Sequence, residues 1–250
     1  MSMKWTALAA ALLLAQDPPQ PVSIADDAKQ PQVAVDADGN VYVTFLRGGN
    51  IQVSVSTDGG KTFSKPVVAI DAKGNARGGM QRGPRIGVDS QKNVYVSAPV
   101  CFDEAELKQQ YPKAELWLAV SKDGGKTFGD KVRINEVEKK APEALHWLAV
   151  APTGEVHVAW IDGRTGKPAV FYKVFAEMGA KPGKDLRLAE PVCECCAPFV
   201  AIDKGGNPLV AFREGGQKPS REIYAMRSTN KGKSFQAPVQ VNRAASKLPT

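Results

Sequence analysis

The chain repeats one polar octapeptide, and this repeat restricts the possible folds more than any other feature. The sequence STDGGKTF occupies residues 56–63, SKDGGKTF occupies 121–128, and a weaker copy, STNKGKSF, occupies 228–235. In each copy an Asp or Asn side chain can accept backbone N–H groups of a turn, and glycine supplies the positive φ that the turn needs. The aromatic residue at the end can fold back onto the apolar face of its own unit. We therefore predict rigid structural corners built on Asp58, Gly60, Phe63, Asp123, Gly125, Phe128, Asn230, Gly232 and Phe235.

Each octapeptide belongs to a longer repeat that starts at Pro31, Pro84, His146 and Pro198. A unit begins with two alternating apolar runs around a polar turn, which is the pattern of a β-hairpin. A third run follows (IQVSVS, ELWLAVS, AVFYKV, EIYAMRS), and then a fourth (PVVAI, KVRIN, PVCEC, PVQVN). Units of four short strands at this period are typical of β-propeller blades. We predict an all-β propeller of antiparallel four-stranded blades with units near residues 31–83, 84–145, 146–197 and 198–248; a β-sandwich is the alternative.

The first residues have the pattern of an export signal. Lys4 provides a positive start, an apolar run extends from Trp5 to Ala15, and the sequence QDPP ends it. Eleven residues are too few to span a bilayer but suit the core of a signal peptide. We predict a signal peptide at 1–15, a propeller at 22–250, and a secreted or periplasmic protein without a membrane span. A buried N-terminal helix is the alternative interpretation.

The net charge and the cysteine content limit the classes of ligand that the chain is expected to bind. The net charge is +7, but the lysines are scattered and no basic stripe alternates with aromatic residues, which argues against nucleic-acid binding. The four cysteines are Cys101, Cys193, Cys195 and Cys196. In an exported protein they favour disulfides or plain thiols, and the spacing C-x-C-C lacks the paired knuckles of zinc sites. We therefore expect no metal and no cofactor, and the disulfide pairing stays open.

The octapeptide S-x-D-x-G-x-T-F is the Asp box, or BNR repeat. The chain resembles the Asp-box β-propellers of the sialidase (neuraminidase) superfamily over about residues 22–243. The stretch CECCAPFVAID, followed by VAFRE, is similar to bacterial exported proteins of the exo-α-sialidase type. The third unit has no box, and KVFAEMGAKPGKD stands in its place.

The resemblance implies six blades, cleavage of terminal sialic acids, arginines on the substrate carboxylate, a Tyr–Glu nucleophile pair and an Asp acid/base. The family tetrapeptide Phe-Arg-Ile-Pro does not occur here; the nearest sequence is Phe45-Leu46-Arg47. The tyrosines do not identify a nucleophile. Tyr42 and Tyr95 share one repeat position with His157 and Leu209, which predicts a packing position.

Charged residues recur where the second strand of a unit ends, and in a propeller these ends converge on one central mouth. Arg47, the pair Asp162 and Arg164, and the pair Arg213 and Glu214 stand there. Arginine suits a carboxylate or a phosphate. We predict substrate binding by Arg47, Arg82, Arg164 and Arg213, with Asp162 and Glu214 as catalytic acid/base candidates. Arg85, close to Arg82 before the second unit, can face the same mouth; charged loops that pair with one another are the alternative.

The segment PVSIADDAKQPQ, at residues 21–32, copies the fourth-strand pattern before the first full unit. It predicts an additional strand, and with it a chain truncated from a six-bladed propeller. A small four-bladed propeller with a loose N-terminal strand is the alternative.

Three functions remain open at the level of the sequence. The first is a sialidase-type enzyme that acts on an acidic sugar. The second is a non-catalytic propeller that binds a glycan or a protein. The third is another hydrolase or lyase that uses the same mouth, with carboxylate-bound Ca²⁺ as a possibility. The partner that we expect is a glycan or another acidic small ligand, and the oligomeric state stays open.

Overall fold

The computed structural model of the chain describes residues 20–109, 113–136, 145–176, 183–215 and 222–242. These residues form four sheets of four strands each, and strand order within every sheet follows the sequence. The first sheet comprises β1 (Lys29–Val35), β2 (Val41–Arg47), β3 (Asn50–Ser56) and β4 (Val67–Ile70). The second comprises β5 (Arg85–Val88), β6 (Val94–Val100), β7 (Glu115–Ser121) and β8 (Val132–Arg133). The third comprises β9 (His146–Val150), β10 (Val156–Asp162), β11 (Ala169–Phe175) and β12 (Leu186–Ala189). The fourth comprises β13 (Phe199–Ile202), β14 (Pro208–Arg213), β15 (Ile223–Arg227) and β16 (Val239–Gln240).

All the strand pairs within the four sheets are antiparallel. The first strands of the sheets lie side by side, with β1 against β5, β5 against β9, and β9 against β13. The prediction of an all-β propeller of four-stranded antiparallel blades is confirmed. One short helix, α1 (Glu104–Leu107), interrupts the β structure, and the side chain of Asp103 caps its N-terminus. No helix in the described part of the chain is long and apolar enough to cross a membrane.

The apolar core lies between neighbouring sheets rather than within each one. Three buried clusters fill the gaps between sheets one and two, two and three, and three and four. Strands β6 and β10, in the two middle sheets, are therefore buried at every residue. The first and fourth sheets each leave one face open, where Val33 is 58% exposed and Phe199 is 50% exposed. Strands covered on both faces lose the alternation of burial that a half-covered strand keeps.

The octapeptides form the corners between the third and fourth strands of their sheets, as predicted. In the first copy the N–H of Gly60 donates to Ser56 Oγ at 2.8 Å, and the N–H of Thr62 donates to Asp58 Oδ1 at 2.9 Å. The copy at 121–128 repeats both distances. In the third copy Asn230 takes the place of the carboxylate, and its Oδ1 accepts from the N–H of Ser234 at 2.9 Å. In each copy, side-chain oxygens of the octapeptide itself accept the backbone N–H groups that form the corner.

The end of the corner packs differently from the expectation. The ring of Phe235 contacts Tyr172 of the preceding sheet, with the centroids 4.8 Å apart in an edge-to-face arrangement. Phe128 likewise packs against the cluster between sheets one and two. Phe63, in the first sheet, is half-buried. At the second and fourth sheets the aromatic residue therefore helps to join two sheets instead of covering only its own.

Two strand predictions are wrong. The fourth strand of the third sheet is β12, with the sequence LRLA, and the predicted run PVCEC follows it as a connection to the fourth sheet. Pro191 has no N–H for a ladder, and β12 already pairs with β11. Residues 21–25 form no strand either, and Val22 is 45% exposed, because no described strand lies beside them to complete a ladder. The signal peptide predicted at 1–15 and the lost box of the third unit around 177–182 lie outside the described residues.

Candidate functional site

A cleft of about 550 Å³ opens where the first strands of the sheets meet. It collects residues from all four sheets and from the two loops that precede β5 and β13. The lining side chains are Gln30, Pro31, Gln32, Met80, Gln81, Arg85, Trp147, Cys196, Ala197, Phe199, Ala211, Phe212, Arg213 and Ile223. Among these, the charged side chains are two arginines, and no described lining residue is a carboxylate, a tyrosine or a histidine. The cleft is thus apolar with a positive charge at two points.

Arg85 provides the more deeply buried of the two charges, with 9% of the residue exposed. Its guanidinium donates to backbone oxygens only: Nε to His146 at 3.1 Å, Nη1 to Pro84 at 3.0 Å and Nη2 to Gln81 at 2.7 Å. The Cζ atom also lies 5.0 Å from the centre of the Trp147 ring. In the described part of the chain no carboxylate pairs with it, and burial lowers the pKa of Arg85 to about 10. Among the described residues, Arg85 is therefore a buried positive charge beside the cleft without a carboxylate partner.

Arg213 ends β14 on the opposite side of the cleft. Its Nη1 lies 3.7 Å from the sulfur of Cys196, and its carbonyl accepts the N–H of Cys193 at 2.9 Å. A contact across the hub joins the two sides, because the Oε1 atom of Gln81 accepts the N–H of Ala197 at 3.0 Å. Since Gln81 also binds Arg85 through its carbonyl, the loop before β5 and the loop before β13 form one connected wall.

Two aromatic rings form the apolar part of the cleft. The Trp147 and Phe199 rings lie with centroids 4.5 Å apart and are tilted by 48°. Phe199 is half exposed, while Arg85 covers another part of the Trp147 ring. An exposed aromatic surface beside a fixed cation can hold a ligand with both an apolar face and a negative charge.

The predicted pair Asp162 and Arg164 lies away from the cleft lining, in a buried network of charges. Asp162 is fully buried, and its carboxylate accepts from Nη2 and Nε of Arg164, the latter at 2.9 Å. Arg164 Nη1 also pairs with Asp185 at 2.8 Å, and Lys173 Nζ pairs with the same carboxylate at 2.7 Å. Burial opposes the charge of Arg164, yet the hydrogen bonds and charges of Asp162 and Asp185 raise its pKa above the usual value. The four charges compensate one another.

The other predicted site residues lie around the cleft without lining it. Arg47 ends β2 opposite Asn50, and Arg82 lies in the loop before β5, between the lining residues Gln81 and Arg85. Glu214 directly follows Arg213, is half-buried, and its N–H donates to the carbonyl of Glu222 at 2.8 Å. Of the four arginines predicted to bind substrate, the structure places Arg213 in the cleft.

The packing predicted for the repeat position of Tyr42, Tyr95, His157 and Leu209 is confirmed for the first three residues. Leu209 is 43% exposed, because it lies on the face of β14 opposite to Val210, which packs against the third sheet. Tyr42, Tyr95 and His157 are all at least 95% buried, and His157 Nδ1 hydrogen-bonds the Tyr172 hydroxyl at 2.5 Å. Burial lowers the pKa of His157 to about 4. No disulfide joins the four cysteines in this structure, and three of them form the cluster described below.

Sequence reasoning did not select Gln81, Trp147, Phe199 or Cys196 for the cleft. The signal for the first was present in the stretch MQRGPR, where Arg82 and Arg85 drew attention instead. The signal for Cys196 was the CECC run, whose position in the fold depends on the fourth strand being β12.

The fold is that of sialidase-like β-propellers. No protein-family model and no curated protein matches the chain. Among solved structures, an intramolecular trans-sialidase from Ruminococcus gnavus is similar with a TM-score of 0.60 at 11% identity, over 87% of this chain and 71% of that one. The NanB sialidase from Streptococcus pneumoniae gives a TM-score of 0.59 at 13% identity, over 87% of this chain and 52% of that one. A polysaccharide lyase, described as an ulvan lyase bound to -[GlcA(1-4)Rha3S]-, gives 0.57 at 14% identity, over 86% and 56%.

The chain thus spans about half of the sialidase NanB and of the ulvan lyase. A protein of unknown function from Dyadobacter fermentans is also similar, with a TM-score of 0.56 at 17% identity, over 85% of this chain and 68% of that one. At these identities the likeness concerns the fold.

Proposed function

We propose that this chain is a carbohydrate-binding propeller that holds an acidic glycan in the hub cleft through Arg85 and Arg213. The observation that carries the proposal is the charge of Arg85, which is buried beside the cleft with backbone carbonyls as its protein partners. A buried charge without a counter-charge is costly, and an anion that enters the cleft offsets that cost. A carboxylate is the group on acidic sugars that an arginine fork binds best.

The rest of the cleft suits a sugar ring. Trp147 and Phe199 offer apolar ring faces, and Gln30, Gln32 and Gln81 offer amides at the rim. Two of the structurally similar proteins are named for sialic acid chemistry, and a third is described with a glucuronate-containing ligand. These names support the choice of an acidic glycan over other anions.

Binding without cleavage is the version that the geometry favours. Glycoside hydrolysis needs a pair of positioned acid, base or nucleophile groups at the scissile bond. None of the described side chains that line the cleft is a carboxylate or a tyrosine. Asp162, one of the two acid/base candidates, is fully buried and ion-paired with Arg164, whose side chain is 14% exposed.

Sialidase-type cleavage is the second candidate, and Glu214 is the residue that favours it. It follows Arg213 directly and is half-buried, so it is the predicted carboxylate that stands next in the chain to a cleft-lining arginine. In this version Glu214 is the acid/base and Arg213 holds the carboxylate. Asp162, Arg47, Arg82 and Arg164 do not line the cleft, and we assign them no part in this version.

Calorimetric titration of the folded full chain with N-acetylneuraminic acid and glucuronic acid tests the proposal, with lactose as the neutral comparison. We expect the acids to bind and lactose to bind at least about ten-fold more weakly, since a lost charge-assisted contact costs about 1.5–3 kcal/mol. Arg213→Gln and Arg85→Gln should each weaken binding of the acids. Arg187→Gln is the matched control, because Arg187 pairs with Glu190 on the outer strand β12. Equal affinity of the Arg213→Gln variant and the unchanged chain, or no binding of either acid, contradicts the proposal.

A fluorogenic sialoside separates the two candidates. Turnover that Glu214→Gln abolishes, in a variant whose melting temperature is unchanged, replaces the binding proposal with the enzymatic one. Binding of the acids with no turnover supports the binding propeller.

We include in this proposal the export of the chain from the cytoplasm. A glycan-binding propeller meets its ligand outside the cytoplasm, and residues 1–15 have the pattern of a signal peptide. Expression of the full chain in a bacterium, followed by mass determination of the N-terminus in the periplasm or medium, tests this. A protein that stays in the cytoplasm with its N-terminus intact contradicts it.

A further inference from the structure

We propose that Cys193, Cys195 and Cys196 form a binding site for one thiophilic d¹⁰ cation, of the Cu(I) or Zn(II) kind, at the edge of the hub cleft. The three sulfurs converge in the structure, with separations of 3.0 Å between Cys193 and Cys196, 3.3 Å between Cys193 and Cys195, and 4.0 Å between Cys195 and Cys196. This is the one group of three or more potential ligand side chains that lie this close together in the described part of the chain. The proposal is separate from the proposed function, because it concerns a different ligand.

The distances suit a shared ion. Three sulfurs bonded to one ion at about 2.3 Å lie roughly 3.8–4.0 Å from one another. One of the three observed separations already has this length, and the other two need to open by less than about 1 Å. Thiolates are the ligands that select Cu(I) and Zn(II) over harder cations.

A disulfide is the competing state, and the number of sulfurs argues against it. Closure of the Cys193–Cys196 pair from 3.0 Å to the covalent length of about 2.05 Å is a movement of similar size. It uses two sulfurs, however, while the third approaches Cys193 almost as closely, at 3.3 Å. Cys193 thus lies close to both of the other sulfurs, which a single disulfide does not require and a shared ion does.

The surroundings hold the three residues in place. The N–H of Cys193 donates to the carbonyl of Arg213 at 2.9 Å, and Val192 forms an antiparallel bridge with Glu214. The turn 193–196 is therefore fixed to the end of β14. The guanidinium of Arg213, 3.7 Å from the Cys196 sulfur, supplies positive charge beside a centre of thiolates.

Access to the site is also present. Cys193 is 3% exposed, Cys196 is half-buried and lines the cleft, and Cys195 is exposed. An ion can enter past Cys195 and reach the buried sulfur of Cys193. Three protein ligands satisfy a trigonal Cu(I) ion, whereas Zn(II) keeps a fourth position for water or another small ligand.

Equilibrium dialysis of the reduced full chain under nitrogen, in one arm against Zn(II) and in the other against buffered Cu(I), tests the proposal. We expect one ion per chain in at least one arm, and competition with a chelator of known affinity ranks the two ions. Co(II) serves as a spectroscopic probe, and a sulfur-to-metal charge-transfer band reports thiolate ligation. Because each sulfur is a ligand, Cys193→Ser, Cys195→Ser and Cys196→Ser should each lower the affinity by about ten-fold or more.

The fourth thiol provides the matched control. Cys101 is buried directly after β6 and lies outside the cluster, so Cys101→Ser should leave the affinity unchanged. Cys195 is exposed, so its serine variant tests ligation without disturbing the core, and melting curves verify folding. The proposal is wrong if the reduced, folded chain binds no stoichiometric ion in either arm, or if Cys195→Ser binds as tightly as the unchanged chain. Mass spectrometry of air-exposed protein that finds a Cys193–Cys196 disulfide, together with no metal binding after reduction, assigns the cluster to disulfide chemistry instead. The glycan titration probes a different ligand on the metal-free chain, so either proposal can fail without the other.

Discussion

The hydroxyl oxygen of Tyr172, in the third sheet, occupies the space that a β-carbon on Gly232 would need in the corner of the fourth sheet. The same relationship links the first two sheets, where a β-carbon on Gly125 would stand 2.9 Å from a methyl group of Val55. Each of these corners thus presents the glycine at its fifth position to the third strand of the preceding sheet. The glycine has two functions, since its φ is also positive.

Gly232→Ala should therefore destabilise the fold more than the corresponding change in the first corner. Gly60 has a φ of +89°, close to the +83° of Gly232, but no described atom lies within 4 Å of its β position. Both variants carry the backbone cost of a left-handed residue, about 1–2 kcal/mol. Gly232→Ala adds the displacement of Tyr172, about 1–3 kcal/mol more. Urea unfolding of the two variants measures the difference, and equal losses contradict the packing role of Gly232.

Asp162→Asn should lower the free energy of unfolding by about 3–5 kcal/mol, because it leaves Arg164 buried with one of its two carboxylates. Glu190→Gln is the control, since it breaks the partly exposed pair with Arg187 and should cost less than about 1 kcal/mol. Chemical denaturation measures both. If Asp162→Asn is as stable as the control and loses sialoside turnover, the catalytic role is supported and the structural role is wrong.

Acid should weaken the fold through His157. Its pKa is about 4 in the folded chain and about 6.5 in the unfolded chain, because burial disfavours the charged imidazole. The unfolded state then binds more protons between these values, so stability is full above pH 6.5 and falls as the pH drops towards 4, by roughly 3 kcal/mol in all.

His157→Leu tests this, because Leu209 holds the same repeat position in the fourth sheet. The variant loses the hydrogen bond to Tyr172 and should be less stable at neutral pH. Its stability should nevertheless depend less on pH between 4 and 6.5. The free energies of unfolding of the variant and the unchanged chain, measured at several pH values, test this prediction. If the slope of stability against pH is the same for both, His157 is not the titrating group.

Asn230→Asp should stabilise the fourth corner at neutral pH. The carboxylates of the first two corners accept charge-assisted hydrogen bonds from a serine hydroxyl, a threonine hydroxyl and backbone N–H groups. The hydroxyl bonds, that of Thr62 on Asp58 and that of Ser121 on Asp123, are the largest cause of their lowered pKa values. Asn230 makes the same backbone bond without the charge, so we expect a gain of a few tenths to about 1 kcal/mol. The reverse change, Asp58→Asn, should destabilise. Thermal melts at pH 7 compare the two, and a shift of the same sign in both contradicts the argument.

The fold could be predicted because its determinants are local. An octapeptide contains all the acceptors and glycines of its corner, and alternation reveals each strand of a hairpin. The wrong strand predictions concern segments whose structure depends on whether a neighbouring strand is present to pair with them. The run PVCEC matches a fourth strand as well as LRLA does, and only pairing with β11 selects β12.

The cleft was less predictable because one residue of offset turns a side chain to the other face of a strand. In the aligned repeats, Arg47 corresponds to Asp162 and Glu214, whereas Arg213 corresponds to Leu46, one position earlier. Charged residues near the ends of equivalent strands can therefore lie on opposite faces of their sheets. Arg85 and Gln81 act through contacts across the hub that no repeat pattern encodes.

The joint between neighbouring sheets has a consequence for how such units can be assembled. One side of a joint contributes a glycine corner, and the other contributes a third-strand socket formed by Val55 or Tyr172. A corner cannot pack against another corner, nor a socket against another socket. Neighbouring sheets therefore associate head-to-tail, in a single direction around the axis. A unit that is inverted or shuffled keeps its strands yet loses its fit, and exchange between units should succeed only when corner and socket are transferred together.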